Sequence, residues 1–281
     1  MRVADCLARR RFAALIGQPE GAIRLDLAAL LIAQEEYPHL DCARYLNRLD
    51  VMALDVRGAL AGRADALAIV VALNRYLFDQ EGFHGAADYD DPRDSYLNDV
   101  LERRSGIPIS LSIVYMEVAR RLGLTLHGVG APGHFLVRYD GPTPDNEPLL
   151  LDPFNGGTVL SLDDCRRRFA VLPHPGRLAL DYLAPVGVPY ILARMLTNLT
   201  VLYLRQGDHA RALAATDRLL LLQPTDPAQP RNHAVIHLAR GDLAAALQDL
   251  RGYLALAPHA PDAPAVRAQV QALWRRLALL N

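Results

Sequence analysis

Apolar and polar positions recur with two different periods along this chain, and the change of period divides it. LDLAALLIAQEEYP (25–38) has apolar residues at 25, 27, 30, 31 and 32 ahead of Pro38, the spacing of one helix face. ADALAIVVALNRYLF (64–78) is apolar nearly all round, which predicts a buried helix. Residues 1 to about 80 therefore read as helices. EGFHGAADYDDPRDS (81–95) reads as a charged surface loop, with Ser95 as N-cap for the helix YLNDVLERR. Gly106, after Glu102, Arg103 and Arg104, is its expected stop signal. Pro108 opens the next helix at a first-turn position, where its missing N–H costs nothing. Ile109, Ile113, Met116, Ala119 and Leu122 recur at helical spacing and predict a well-buried helix that Gly123 ends.

From Thr125 the period falls to two. TLHGVGAPGHFLVRYD and PLLLDPFNGG predict strands near 125–130, 133–139 and 148–152, with a turn-rich DGPTPDNEP between the last two. A hairpin centred on the 139–148 join sets residue 134 opposite 152 or 153, so His134 and Asp152 should meet on neighbouring strands. LPHPGRLALDYLAPVGVP (172–189) reads as a connector. Beyond it the chain repeats itself at an offset of 34: Asn198 matches Asn232, Gly207 matches Gly241, Asp208 matches Asp242, Leu213 matches Leu247 and Pro224 matches Pro258. Period and pattern resemble the tetratricopeptide repeat, and a final helix is expected at about 263–279.

Composition narrows the function classes. Of 281 residues 51% are apolar and the net charge is −1, which argues against disorder and against a nucleic-acid binder. No apolar run approaches the ~20 residues of a membrane span, and MRVADCLARRRF lacks the apolar block of a secretory signal. Cys6, Cys42 and Cys165 are far apart, form no C-x-x-C, and fit a reducing cytoplasm. All 30 basic residues are arginine, so no lysine amine is available for Schiff-base or acyl chemistry.

Candidate chemistry is sparse. His233 and His237 stand at i and i+4, a spacing that can bind one metal. The sequence supplies no evident third ligand and lacks the glutamate of H-E-x-x-H, so a solvated or core-edge helix face is expected and no metal or other cofactor is assigned. GAADYDDPRD lacks EF-hand spacing, and APVGVP and PFNGGT carry no nucleotide-binding signature. The His134–Asp152 pair is the stronger candidate. A carboxylate on an imidazole fixes its tautomer and stabilises its cation, the orienting half of a catalytic triad. A structural hydrogen bond is the competing reading.

The motifs YLFDQEGFHG, YLNDVLERRSGIPISLSIVY, RRLGL, PGHFLVRY and LLDPFNGG, in this order ahead of the repeats, resemble the bacterial SirB family. That family joins a transglutaminase-like domain to tetratricopeptide repeats. The resemblance runs from about residue 25 to the C-terminus and departs at Ala86-Ala87, where the family pattern has Gly-Asn. In active transglutaminase-like enzymes a cysteine opens the core helix about fifteen residues before a terminating glycine, and histidine and aspartate follow on successive strands. Carried over, the resemblance puts the histidine at His134, the aspartate at Asp152 and Pro108 at the nucleophile's place. Ser112, one turn further along the helix, is a weak substitute.

The expected architecture is α+β: a helical N-terminal region (1–95), a transglutaminase-like, papain-like core with a small antiparallel sheet (96–182), and an all-α tetratricopeptide module (183–281). The expected function is a cytoplasmic, non-catalytic binding or regulatory protein with a degenerate site. It would take a protein or peptide partner on the repeats, with a small ligand in the retained cleft as a further reading, and neither nucleic acid nor membrane. The alternative is an acyl-transfer or amide/ester hydrolase in which His134 and Asp152 serve an unidentified nucleophile or water.

Overall fold

The computed structural model describes residues 3–63, 65–143, 147–169 and 182–279, and the chain forms two compact units, Met1–Leu192 and Ala193–Asn281. Residues 172–181, most of the expected connector, lie outside the described residues.

The first unit begins with helices α1 (Val3–Ile16), α2 (Leu25–Glu36), α3 (Cys42–Ala59) and α4 (Ala66–Asn74), the last continuing as a π-helical turn over Arg75–Gln80. Asp41 caps α3 by accepting from the Ala43 and Arg44 N–H groups, and Asp65 caps α4 through the Ala68 N–H, each satisfying backbone donors that have no partner within the helix. The expectation for α4 needs correction. Ile69, Val70 and Leu73 are buried, but Leu67 and Val71, one turn apart, stand 40% and 67% exposed. The helix lies at the surface of its unit with only one face covered.

Two further expectations fail next. Ser95 does not cap a helix: it closes the 3-10 turn Pro92–Asp94, and Tyr96 precedes α5 (Leu97–Arg103). Nor does Gly106 stop that helix. Arg104 adopts the left-handed conformation (φ 58°) at the C-cap. Gly106 is needed elsewhere, in the short parallel pairing of β1 (His84–Gly85) with β2 (Ser105–Gly106), where an added Cβ would stand 2.7 Å from Ser110 Oγ.

Helix α6 (Pro108–Arg121) is the axis of the unit, buried at every residue from Pro108 to Ala119. Full burial of a large apolar side chain contributes about 1.5–3 kcal/mol, so this helix anchors the unit. Gly123, at φ 88°, follows its C-cap as expected. Strands β3 (His127–Val129), β4 (Leu136–Tyr139), β5 (Leu149–Asp152), β6 (Thr158–Leu160) and β7 (Pro185–Val186), with α7 (Leu162–Phe169) after β6, complete the unit. They form an antiparallel sheet in the order β6-β5-β4-β3-β7. Val129, Leu136, Leu150, Leu160 and Cys165 make a core cluster, and α6 packs on β3, β4 and the turn after β5.

The second unit is helical. After α8 (Val188–Arg205) come α9 (His209–Leu222), α10 (Ala228–Arg240), α11 (Leu243–Leu256) and α12 (Ala263–Ala278). The bounds of α9 and α11 differ by the predicted offset of 34. Gly207 and Gly241 share a left-handed φ (74° and 80°) at matching helix ends. Consecutive helices from α9 to α12 pack on one another, with Leu247, Leu250, Tyr253 and Val266 in the core. Among the described residues no helix is long and apolar enough to cross a membrane.

Candidate functional site

His134 follows a tight turn rather than lying within a strand. Pro132 and Gly133 occupy its centre, and the His134 N–H donates to the Ala131 carbonyl (3.1 Å). Proline followed by a positive-φ glycine (70°) is the type II pattern. Residue 134 thus enters β4 two residues before pairing begins. The observed register, Val137 opposite Leu151, is shifted by one residue from the expected hairpin. The pair nevertheless forms, because both side chains reach the same end of the sheet: His134 Nε2 lies 2.9 Å from Asp152 Oδ1.

Asp152 ends β5, is fully buried, and is more heavily engaged than a two-residue reading suggests. Oδ1 also accepts from the Asn155 N–H (3.3 Å), and Oδ2 accepts from Asn155 Nδ2 (2.8 Å) and Arg168 Nη1 (3.2 Å). Burial pushes the carboxyl pKa up, but the bonds from His134 and Asn155 outweigh it and hold it below the usual value. An ionised carboxylate only accepts, so His134 Nε2 carries a proton and Nδ1 is the nitrogen left to hold or take another. Arg168 shares Asp152's charge, so less of it is available to stabilise an imidazolium.

Aromatic rings cover the pair. Phe154 stands edge-on to His134 with centroids 5.9 Å apart, and Tyr89 of the acidic loop lies 6.0 Å from Phe154. Gly85 admits Phe154, since a Cβ there would come within 2.6 Å of the ring. The turn after β5 is tied to the helices through Asn74, which donates from Nδ2 to the Gly157 carbonyl and accepts from the Tyr115 hydroxyl, both at 2.9 Å. Asn155, Arg168, Phe154 and Asn74 were not singled out from the sequence. Asn155 follows its aspartate by three residues, a spacing that signals a side-chain-capped turn. Arg168 and Asn74 carry no local signal at all.

The other candidates fall differently. Pro108 is the first residue of α6 and is buried. Ser112 is fully buried and its hydroxyl donates to the Pro108 carbonyl at 2.7 Å, while Ser110 donates to the Asp94 and Ile107 carbonyls. Cys42 and Cys165 are free and buried, and burial pushes both thiols up, the opposite of what a nucleophile needs. A cavity of about 430 Å³ in this unit is lined by the Glu20–Leu25 segment, Met116, Arg120, His127 and Gly187, without His134 or Asp152. His233 and His237 are joined by Asp249 of α11, the third acidic or basic group that the sequence expectation lacked.

Comparison with known proteins gives the family. Residues 43–197 match the family model of the transglutaminase-like superfamily, and residues 199–271 match a tetratricopeptide-repeat model. The chain is 41% identical over 218 residues to a UPF0162 protein of Xylella fastidiosa (strain 9a5c), covering 74% of each chain. It is 30% identical over 258 residues to a UPF0162 protein of Vibrio cholerae, covering 90% of this chain and 91% of that one. A shorter match, 36% over 145 residues, joins 50% of this chain to 22% of F-box only protein 21 of Mus musculus. No solved structure matches. The chain belongs to the transglutaminase-like superfamily and, within it, to the UPF0162 (SirB-like) proteins, with its tetratricopeptide repeats following the transglutaminase-like domain.

Proposed function

We propose that this protein binds and regulates rather than catalyses, and that its transglutaminase-like site is degenerate. The observation that carries the reading is Pro108 at the start of α6, the position that the resemblance to active transglutaminase-like enzymes aligns with their cysteine. Proline has no ionisable group, so no thioester can form there. The neighbouring hydroxyls do not compensate. Ser112 is spent on the Pro108 carbonyl, and a buried serine with its hydrogen bonded backwards along the helix is a poor nucleophile. His134 and Asp152 then hold the sheet end and its turn together, with Asn155 and Arg168 completing the carboxylate's partners.

Binding is assigned to the repeats, which stack helices into surfaces suited to a peptide or protein segment. We assign the protein to the cytoplasm, in keeping with the free thiols of Cys42 and Cys165.

A hydrolase or acyltransferase using water is the second reading, and the intact His134–Asp152 hydrogen bond is what favours it. The two readings part in one experiment. The purified chain is offered activated esters, anilides and a primary amine acceptor, alongside His134→Ala and Asp152→Asn. Equal, background-level turnover by all three is expected. Turnover that both substitutions abolish would overturn the non-catalytic reading.

A further inference from the structure

The second repeat unit contains a polar cluster where its sequence counterpart is apolar. Helix α10 carries His233 and His237 one turn apart, and α11 brings Asp249 against both. His233 Nδ1 lies 2.9 Å and His237 Nε2 4.0 Å from Asp249 Oδ2. The three donor atoms fall within 4.8 Å of one another, and the two rings meet edge to face with centroids 4.6 Å apart. Stepping back by the repeat offset, these positions are Leu199, Tyr203 and Ala215, all buried. One repeat fills three interior positions with hydrocarbon and phenol; the next fills the same three with two imidazoles and a carboxylate. These groups partner one another, which offsets the cost of placing them inside, and the concerted replacement brings three donors of the kind that hold zinc to one place.

The outer partners fit the same conclusion. Each imidazole has a carboxylate beside its other nitrogen. Asp217 Oδ1 is 3.2 Å from His233 Nε2, in ion-pair range though poorly aligned for a hydrogen bond, and Asp242 Oδ2 is 3.4 Å from His237 Nδ1. Metal-bound histidines almost always give their second N–H to such a group, which fixes the tautomer. Asp242 has also left its usual task. Asp208, its repeat counterpart, caps α9 by accepting from the Arg211 N–H at 3.0 Å. Asp242 makes no such bond at α11 and turns to His237 and Arg240 instead, although a lost cap costs ~1 kcal/mol.

We propose that His233 Nδ1, His237 Nε2 and Asp249 Oδ2 bind a divalent metal ion, with zinc the best match to the donor set and a water in the fourth position. Two imidazoles and a carboxylate suit zinc over calcium or magnesium, which prefer all-oxygen shells. Zinc bonds of about 2.0–2.2 Å set tetrahedral ligands roughly 3.3 Å apart. That value lies between the 2.9 and 4.0 Å separations from Asp249 Oδ2, and all three donors lie within 4.8 Å of one another, so side-chain rotations that draw the two imidazoles together close the site. The competing arrangement is a proton: with no metal, a protonated His233 bridges Asp217 and Asp249.

The full-length chain is stripped with a chelator, incubated with excess zinc chloride, desalted and assayed for metal. One zinc per chain is expected. His237→Gln and Asp249→Asn, both close in size to the residue replaced, should each lose it, Asp217→Asn should bind about 10–100-fold more weakly, and His134→Ala should bind as the parent does. Cobalt(II) added to the parent should give the visible bands of a four-coordinate site, quenched by zinc, an arm that needs no variant to fold. Absence of stoichiometric zinc and of these bands would overturn the proposal, as would unchanged binding by His237→Gln and Asp249→Asn.

Discussion

Replacing Gly157 by alanine strikes the turn that carries Asp152 in two ways. Gly157 sits at φ 72°, where an L-residue costs about 1–2 kcal/mol. A Cβ would also stand 2.1 Å from Asn74 Oδ1, so Asn74 must move. Its displacement breaks the bond to the Gly157 carbonyl and the one from the fully buried Tyr115. A buried hydroxyl left without a partner costs about 1–3 kcal/mol. The total is about 2–5 kcal/mol. In a unit of 192 residues, each kcal/mol lowers the midpoint by about 2–4 °C, so a fall of about 4–20 °C is expected. A double-mutant cycle with Asn74→Ala separates the two costs. In that background the clash is gone, and Gly157→Ala should cost only about 1–2 kcal/mol. Thermal and urea unfolding read both arms. An equal cost in the two backgrounds would refute the steric argument.

Other expectations follow from buried charge. Arg121 donates to Asp26 (2.6 Å), Glu117 (2.8 Å) and Asp50 (2.5 Å), and Asp26 is fully buried. Arg121→Met should therefore cost about 3–5 kcal/mol in urea unfolding; a loss below ~1 kcal/mol would show that Arg24 and Arg120 suffice. Asp152, whose folded pKa is depressed, stabilises the fold above its unfolded value of ~3.9 and loses that contribution as pH falls through the folded value. Urea midpoints between pH 3 and pH 6 should thus fall less steeply with acid in Asp152→Asn, and an unchanged slope would contradict the assignment.

Periodicity made much of this architecture legible. The helix under Ile109, Ile113 and Met116, the strands around His134 and Asp152, and the repeat offset all follow from spacing alone, because burial on one face imposes a period. What escaped depends on contacts distant in sequence or on competing local choices. Ser95 resembles a cap, but the turn of Pro92 takes it first. Gly106 resembles a stop, but it pairs with Gly85 in a strand, where a side chain would meet Ser110 Oγ. The hairpin register slipped by one because residues 139–148 leave the loop length free to set it. Asp26, in the first turn of an apolar helix, gives no hint of Arg121, its ion-pair partner far along the chain. Asp249 could have been found: the repeat offset aligns it with Ala215, an interior position, and a charged residue there is the anomaly to look for.

The central claim, that Pro108 stands where a nucleophile once did, is tested most directly by putting a thiol there. Pro108→Cys retains the helix start and gives up only a backbone constraint, at a cost below ~1 kcal/mol. The pH dependence of thiolate ultraviolet absorbance, taken as the difference from the parent protein, reports the new group even though the position is buried. Burial raises a thiol's pKa, but a helix N-terminus favours the anion, and so would the His134 imidazole if it stands beside residue 108, where the transglutaminase-like assignment sets it. The account predicts a pKa well below the ~8.5 of a free thiol, rising when His134→Ala is added. A thiol that titrates at ~8.5 or above in both backgrounds would contradict it, and Pro108 would be no more than a good way to begin a helix.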